Sequence, residues 1–299
     1  MKQVLMFPGQ GSQYVGMCRD FYEKNEKIKD LFEKVNSIIN DDIADIMFNG
    51  PDARLTESKN AQVAIFLHSY SAYTLIKDKI ETVLVCGHSL GEYTALLCAD
   101  VFDFETAVNL VRRRGELMSE AGEKAMGSMA AVIGMDIVKI ESVIKEIDGI
   151  VIANYNGEGQ TVISGTVNGI DKAITKLSEL GARRVLKLNV SGAFHSPLMN
   201  YAFEEFSSFI DKFSFNDPKV TVIMNVTGNY STDSKQIKDL LKKQIISPVK
   251  WTQTMKLLLR DGHRHIAEVG PSKVLSGMAK KTSEEFETIS IEKSEDISF

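Results

Sequence analysis

The sequence predicts an α/β protein: a mostly parallel sheet covered by helices, carrying a smaller inserted unit of different rhythm. Short apolar runs alternate with helical stripes along most of the chain, the pattern of parallel strands joined by helices. At 82–98 the run TVLVC passes straight into Gly87-His88-Ser89-Leu90-Gly91 and then a helical pattern, a strand–turn–helix of the nucleophile-elbow kind. Between 127 and 192 the order changes to strand–helix–strand–strand–helix–strand.

Taken in order, KQVLMF (2–7) reads as a first strand ended by PGQGSQ. The apolar breadth of 61–76 indicates a buried helix, and TVLVC (82–86) is short and β-branched enough for a strand buried on both faces. A helix then runs to about Cys98. SMAAVIGM (128–135) opens the inserted unit as a strand, followed by Ile137, Ile140, Ile144 and Ile147 at helical spacing. IVIANYN (150–156) and QTVISG (160–165) are strands joined by a glycine loop. Val167, Ile170, Ile174 and Leu177 form a second helical stripe, and ARRVLKLNV (182–190) a last strand. This βαββαβ order is that of a ferredoxin-like unit. The α/β alternation resumes with a helix carrying Met199, Phe203, Phe206, Ile210 and Phe213, the strand VTVIMNV (220–226), two helices around Trp251, and the strand HIAEVG (265–270). The expected division is a large domain of 1–126 and 193–299 and a small one of 127–192.

The bulk properties narrow the function classes. A chain of 299 residues with 43% hydrophobic and 25% charged content has the make-up of a soluble globular protein. The net charge of −5 lacks the basic footprint of a nucleic-acid or anionic-membrane binder. No apolar run approaches the ~20 residues of a membrane span. The segment MKQVLMFPGQGSQ is too short in apolar residues for a signal peptide. Cys18, Cys86 and Cys98 lack metal-ligand spacing, and an odd number argues against a disulfide framework. They read as buried, reduced thiols of a cytoplasmic protein.

Ser89 admits two readings. A serine ahead of a helix is a favoured N-cap. The flanking glycines point the other way, to a tight elbow that exposes a nucleophile and aims backbone N–H groups where an oxyanion would form. A nucleophile needs a base, and five histidines are available. His88 adjoins the serine and diverges from it, which suits packing or orienting the elbow. His68 falls in the apolar 61–76 helix, and His263 and His265 flank a turn. His195 stands in a loop before Ser196-Pro197, a helix start, and is the favoured base. Of the arginines 112–114, three successive helical positions cannot face one way. A solvated face is the plain reading, while Arg114 turned toward Ser89 would clamp a substrate carboxylate. PGQGSQ matches neither a P-loop nor a dinucleotide fingerprint, but Gln10 could donate an amide or backbone N–H to an oxyanion.

Together these stretches resemble the malonyl-CoA:acyl carrier protein transacylase family. The matching segments are FPGQGSQYVGM (7–17), GHSLGEYTAL (87–96), RGELM (114–118), GSMAAVIG (127–134), QTVISG (160–165), AFHSPLM (193–199), NVTG (225–228), SPVKWTQ (247–253) and EVGPSKVL (268–275), in family order over nearly the whole chain. The resemblance implies an α/β-hydrolase-like large domain with a ferredoxin-like small domain. It implies Ser89 as acylated nucleophile and His195 as its base, with Gln10 and the Leu90 N–H as the oxyanion hole. Arg114 corresponds to the arginine that pairs with the malonyl carboxylate. A backbone carbonyl at Lys250, where glutamine is common in the family, would orient the histidine. Gln62 and Asn154 match polar residues near the site and Met118 a pocket wall. Val63 replaces a usual proline, a change expected to bear on the local helix start. Phe194 resembles the malonyl-selective form, where methylmalonyl-selective relatives carry serine.

The implied partners are malonyl-CoA and an acyl carrier protein, with no metal or redox cofactor, in fatty-acid synthesis or as a free-standing acyltransferase of polyketide synthesis. Lys242, Lys243, Lys280 and Lys281 are either a docking patch for an acidic carrier or simply solvated lysines. Two other functions use the same residues: a serine hydrolase, which would normally need a triad acid, and a non-catalytic carrier-binding scaffold.

Overall fold

A computed structural model of the chain describes residues 2–297. Its larger sheet contains β1 (Lys2–Phe7), β2 (Glu81–Gly87), β7 (Thr221–Met224), β8 (Asn229–Ser231), β9 (His265–Val269) and β10 (Glu287–Ile291), in the order β10-β9-β1-β2-β7-β8. All neighbours are parallel except the β7–β8 hairpin at one edge. Val4 through Phe7 and Leu84 through Cys86 are all buried, which is why both central strands read as unbroken apolar runs. Helices Ser58–Ile76 and Phe104–Lys124 pack against one another on one face, and helix Trp251–Arg260 lies against the other with Trp251 fully buried.

The second sheet contains β3 (Gly127–Ile133), β4 (Ile150–Gly157), β5 (Gln160–Thr166) and β6 (Arg184–Lys187), ordered β4-β5-β3-β6 and antiparallel throughout. Helices Ile137–Ile144 and Val167–Glu179 cover one face through Ile140, Ile144, Ile170 and Leu177, so the ferredoxin-like order is present. The chain enters and leaves this unit side by side. A Cβ built on Gly122 would lie 2.0 Å from the carbonyl oxygen of Ser191, so only glycine permits that approach. On its far side β4 is tied to the large sheet's connections by Tyr155 N–H to Val249 O (2.9 Å) and Val249 N–H to Ala153 O (2.8 Å).

Two expected strands are shorter than their apolar runs. β6 ends at Lys187: Leu188 N–H still reaches Met129 O (2.9 Å), and Leu188, Asn189 and Val190 then line a cavity. β7 ends at Met224 because Asn225 turns to meet the elbow after β2. Helices Arg19–Lys24, Glu26–Ile39 and Ile43–Asn49, together with β8, β10 and helix Val274–Thr282, complete the fold where the sequence reading named no element. Val63 lies buried inside a helix that already begins at Ser58, so it does not alter the helix start. No helix among the described residues is long and apolar enough to cross a membrane.

Candidate active site

The elbow is built by close backbone approach. A Cβ on Gly87 would sit 2.0 Å from Gly91, and one on Gly91 would sit 2.0 Å from the Phe7 carbonyl oxygen. With both positions bare, β1 and β2 can hold the turn tightly, and Ser89 is forced to a left-handed φ of 50°. Its own N–H donates to Asn225 Oδ1 (2.7 Å), whose Nδ2 in turn donates to Gly87 O (2.7 Å). Ser89 is not a side-chain cap of helix Gly91–Cys98: its Oγ points to His195 and Arg114 instead.

His195 comes from the segment that leaves the small unit, at φ 57°, just ahead of the 3-10 turn Pro197–Met199. Ser89 Oγ lies 2.9 Å from its Nε2, and its Nδ1 lies 2.8 Å from the Gln244 carbonyl oxygen. A carbonyl can only accept, so Nδ1 carries the proton and Nε2 is left to accept from the serine hydroxyl. The orienting carbonyl is therefore that of Gln244, and the expectation for Lys250 is corrected. Lys250 O instead accepts from Thr254 N–H (3.1 Å), because helix Trp251–Arg260 starts there. Burial, with the Arg114 charge beside it, lowers the His195 imidazole to about 3.

Arg114 separates from its neighbours as the helical period requires. Arg112 and Arg113 pair with Glu116 and Glu120 on the outer face. Arg114 is only 1% exposed and donates to Gln62 Oε1 (2.6 Å), Ser89 Oγ (2.9 Å) and Gln244 Oε1 (3.0 Å), with its guanidinium 5.3 Å over the Tyr93 ring. Those hydrogen-bond partners are all neutral oxygens. A buried guanidinium without a carboxylate partner is costly to keep, and it is an electrostatic vacancy for a ligand acid.

Gln10, Met118, Asn154, Phe194, His88, Ser89 and His195 all line one cavity of about 480 Å³. Gln62 lies behind it, fully buried, holding Arg114 and donating to Met118 Sδ (3.5 Å). The Gln10 side-chain amide gives one N–H to Ser58 Oγ (3.1 Å), and its backbone N–H is a further donor for a ligand. Leu90 opens helix Gly91–Cys98 as its N-cap, where backbone N–H groups have no helical acceptor. Asn154 Nδ2 lies 3.3 Å from His88 Nε2, whose proton goes to Asn156 Oδ1, and its own buried Oδ1 has no partner among the described residues.

His88 packs edge-on to Trp251 and is held by Asn156 Oδ1 (2.8 Å). His68 is a core residue hydrogen-bonded to Glu292 O (2.9 Å). His265 is half-exposed beside Glu287 (3.1 Å). Among the lysines, Lys242 is bound to Asp211 (2.7 Å), and Lys280 lies with Lys273 beside a separate surface cavity of about 380 Å³. The sequence reading missed Glu92, Asn156, Asn225 and Gln244. Glu92 and Asn225 stand inside matching segments, where their types hinted at a role without naming one.

The comparisons agree with this geometry. The acyl transferase domain family matches residues 4–296. A malonyl CoA-acyl carrier protein transacylase of Staphylococcus aureus (strain MRSA252) is 40% identical, covering 99% of this chain and 97% of its own. The crystal structure of an acyl carrier protein S-malonyltransferase from Vibrio cholerae O1 biovar eltor superposes with a TM-score of 0.95 at 33% identity, over 99% of both chains. A malonyl-transacylase solved in complex with its type II PKS acyl-carrier protein gives 0.96 at 30% identity, over 99% of this chain and 98% of that one. With its elbow serine, buried arginine and full-length likeness, the chain belongs to the acyl transferase domain family and, within it, to the malonyl CoA-acyl carrier protein transacylases.

Proposed function

We propose that this chain moves a malonyl group from malonyl-CoA to the phosphopantetheine thiol of an acyl carrier protein, through an ester on Ser89. One observation carries the assignment of roles: Ser89 Oγ stands 2.9 Å from both His195 Nε2 and Arg114 Nη2, a base on one side and, on the other, a cation whose hydrogen-bond partners are neutral oxygens. His195 takes the serine proton as Oγ attacks the thioester carbonyl. The backbone N–H groups of Gln10 and Leu90 receive the oxyanion, each such donor being worth ~3 kcal/mol. The C–S bond breaks, the CoA sulfur takes the proton from His195, and the malonyl ester remains on Ser89. The carrier thiol then gives its proton to His195 and attacks the ester, and Ser89 recovers its proton as the C–O bond breaks.

Arg114 holds the malonyl carboxylate through both halves. That contact is common to ground and transition states, so it sets which acyl group is accepted more than how fast it reacts. The unpartnered Asn154 Oδ1 is an acceptor for an amide N–H of the pantetheine arm, and Met118 and Phe194 wall the acyl pocket. Residues 127–192 serve as the inserted small domain, lending Met129, Asn154 and Leu188 to the cavity. The free thiols Cys18, Cys86 and Cys98 suit a cytoplasmic setting.

Intact mass after brief exposure to malonyl-CoA tests the reading. One malonyl adduct on the wild type, absent in Ser89→Ala, is expected. Free malonate and CoA without an adduct would point to a hydrolase, and no reaction at all to a scaffold.

A further inference from the structure

Glu92 is fully buried, one helical turn after Ser89, and the mechanism above makes no use of it. Both its oxygens are occupied: Oε1 accepts the Asn225 backbone N–H (2.5 Å), and Oε2 accepts Gln244 Nε2 (2.6 Å). These two residues hold the reacting groups. Asn225 receives the Ser89 N–H. Gln244 donates to Ser89 O (2.8 Å), accepts from Arg114 through its side chain, and accepts from His195 through its main chain.

We propose that Glu92 is a positioning residue for malonyl transfer: one buried carboxylate that fixes Asn225 and Gln244, and through them the relative placement of Ser89, His195 and Arg114. The inference rests on the roles assigned above to those three residues.

The donor and acceptor pattern explains why a carboxylate is needed. Two donors converge on position 92 from different segments, and only a carboxylate offers each an acceptor oxygen. Glutamine has the same shape but turns an N–H toward one of them. Should Gln244 flip its amide to relieve that clash, its Nε2 would face the Arg114 guanidinium and Ser89 O would lose its donor. Should Asn225 move instead, the Ser89 N–H would lose its anchor. Either adjustment displaces a reacting group, and displacements on the order of 1 Å cost roughly a hundredfold in rate.

The test is the single-turnover rate of malonyl-serine formation, followed by mass on the full chain across malonyl-CoA concentrations. Glu92→Gln is expected to lower the saturating rate at least tenfold while the half-saturating concentration moves less than threefold. A merely structural role would not produce that split. A folded Glu92→Gln within twofold of wild type, or one whose half-saturating concentration moves as much as its saturating rate, would overturn the proposal. If Glu92→Gln is not recovered folded, Glu92→Asp carries the same expectation and the same refutation, since its shorter arm cannot reach both donors. A wild type that never acquires the malonyl group refutes the parent reading instead, whatever the variants do.

Discussion

Replacing Arg114 with alanine should change which acyl group the protein accepts. Its guanidinium is buried and, among the described residues, hydrogen-bonds to the neutral oxygens of Gln62, Ser89 and Gln244, so a malonyl carboxylate would be its charge partner. Removing one member of a buried charge pair costs ~3–5 kcal/mol. At 1.36 kcal/mol per decade, that is a loss of roughly two hundredfold to five thousandfold in kcat/KM for malonyl-CoA. Acetyl-CoA has no carboxylate to lose, so the same substitution should alter its kcat/KM by no more than about tenfold. The ratio of the two substrates is the quantity to follow, because Arg114 also touches Ser89 Oγ and its removal affects both reactions. CoA release under single-turnover conditions measures it. Arg114→Lys, which keeps the charge and loses the planar fork, should fall between. A ratio preserved within threefold in Arg114→Ala would refute the carboxylate clamp.

Three further outcomes follow from the geometry. His195 is held neutral down to about 3, so kcat/KM for serine acylation should stay level from pH 7.5 to pH 5, and a half-drop near the ordinary imidazole value of 6.5 would contradict its burial. Gln10→Ala should slow acylation less than about tenfold, since the side-chain amide serves Ser58 and the backbone N–H survives the substitution, whereas loss of a true oxyanion donor costs ~10²–10³ in kcat. His68 is lowered from 6.5 to about 4 by burial, so the unfolded chain binds a proton there before the folded one does. Its contribution to stability is complete above pH 6.5 and falls by up to ~1.4 kcal/mol per pH unit as acidification proceeds toward pH 4. Denaturant titrations of the wild type and His68→Gln across that range should show a shallower acid loss in the variant.

What the sequence made legible was local. The elbow could be read because Gly87, Ser89 and Gly91 lie within five residues, and backbone crowding excludes other side chains at both glycines. The ferredoxin-like order was visible because isoleucine stripes and β-branched runs carry their own periods. Arg114 could be separated from Arg112 and Arg113 only as one helical face among three. Its partners Gln62 and Gln244 lie 52 and 130 positions away, with no pattern linking them. Motif position points to Lys250 for the orienting carbonyl, yet a main-chain oxygen has no side-chain signature, and Gln244 six residues earlier makes the contact. Glu92, Asn225 and Gln244 are single polar residues whose meaning arises only when three segments converge.

The side-by-side passage of the chain at Gly122 and Ser191 bears on how this fold can diversify. Because the segment between them begins and ends at nearly one point, it can be exchanged between relatives as a cassette, without changing the span its neighbours must bridge. Ser89, Arg114 and Gln244 all lie outside that cassette, while Met129, Asn154 and Leu188 lie within it. A lineage could therefore retune the mouth that meets the donor and the carrier while inheriting the reacting groups unchanged. The contact of Val249 with β4 and the hydrogen bond between His88 and Asn156 are among the seams such an exchange would have to match.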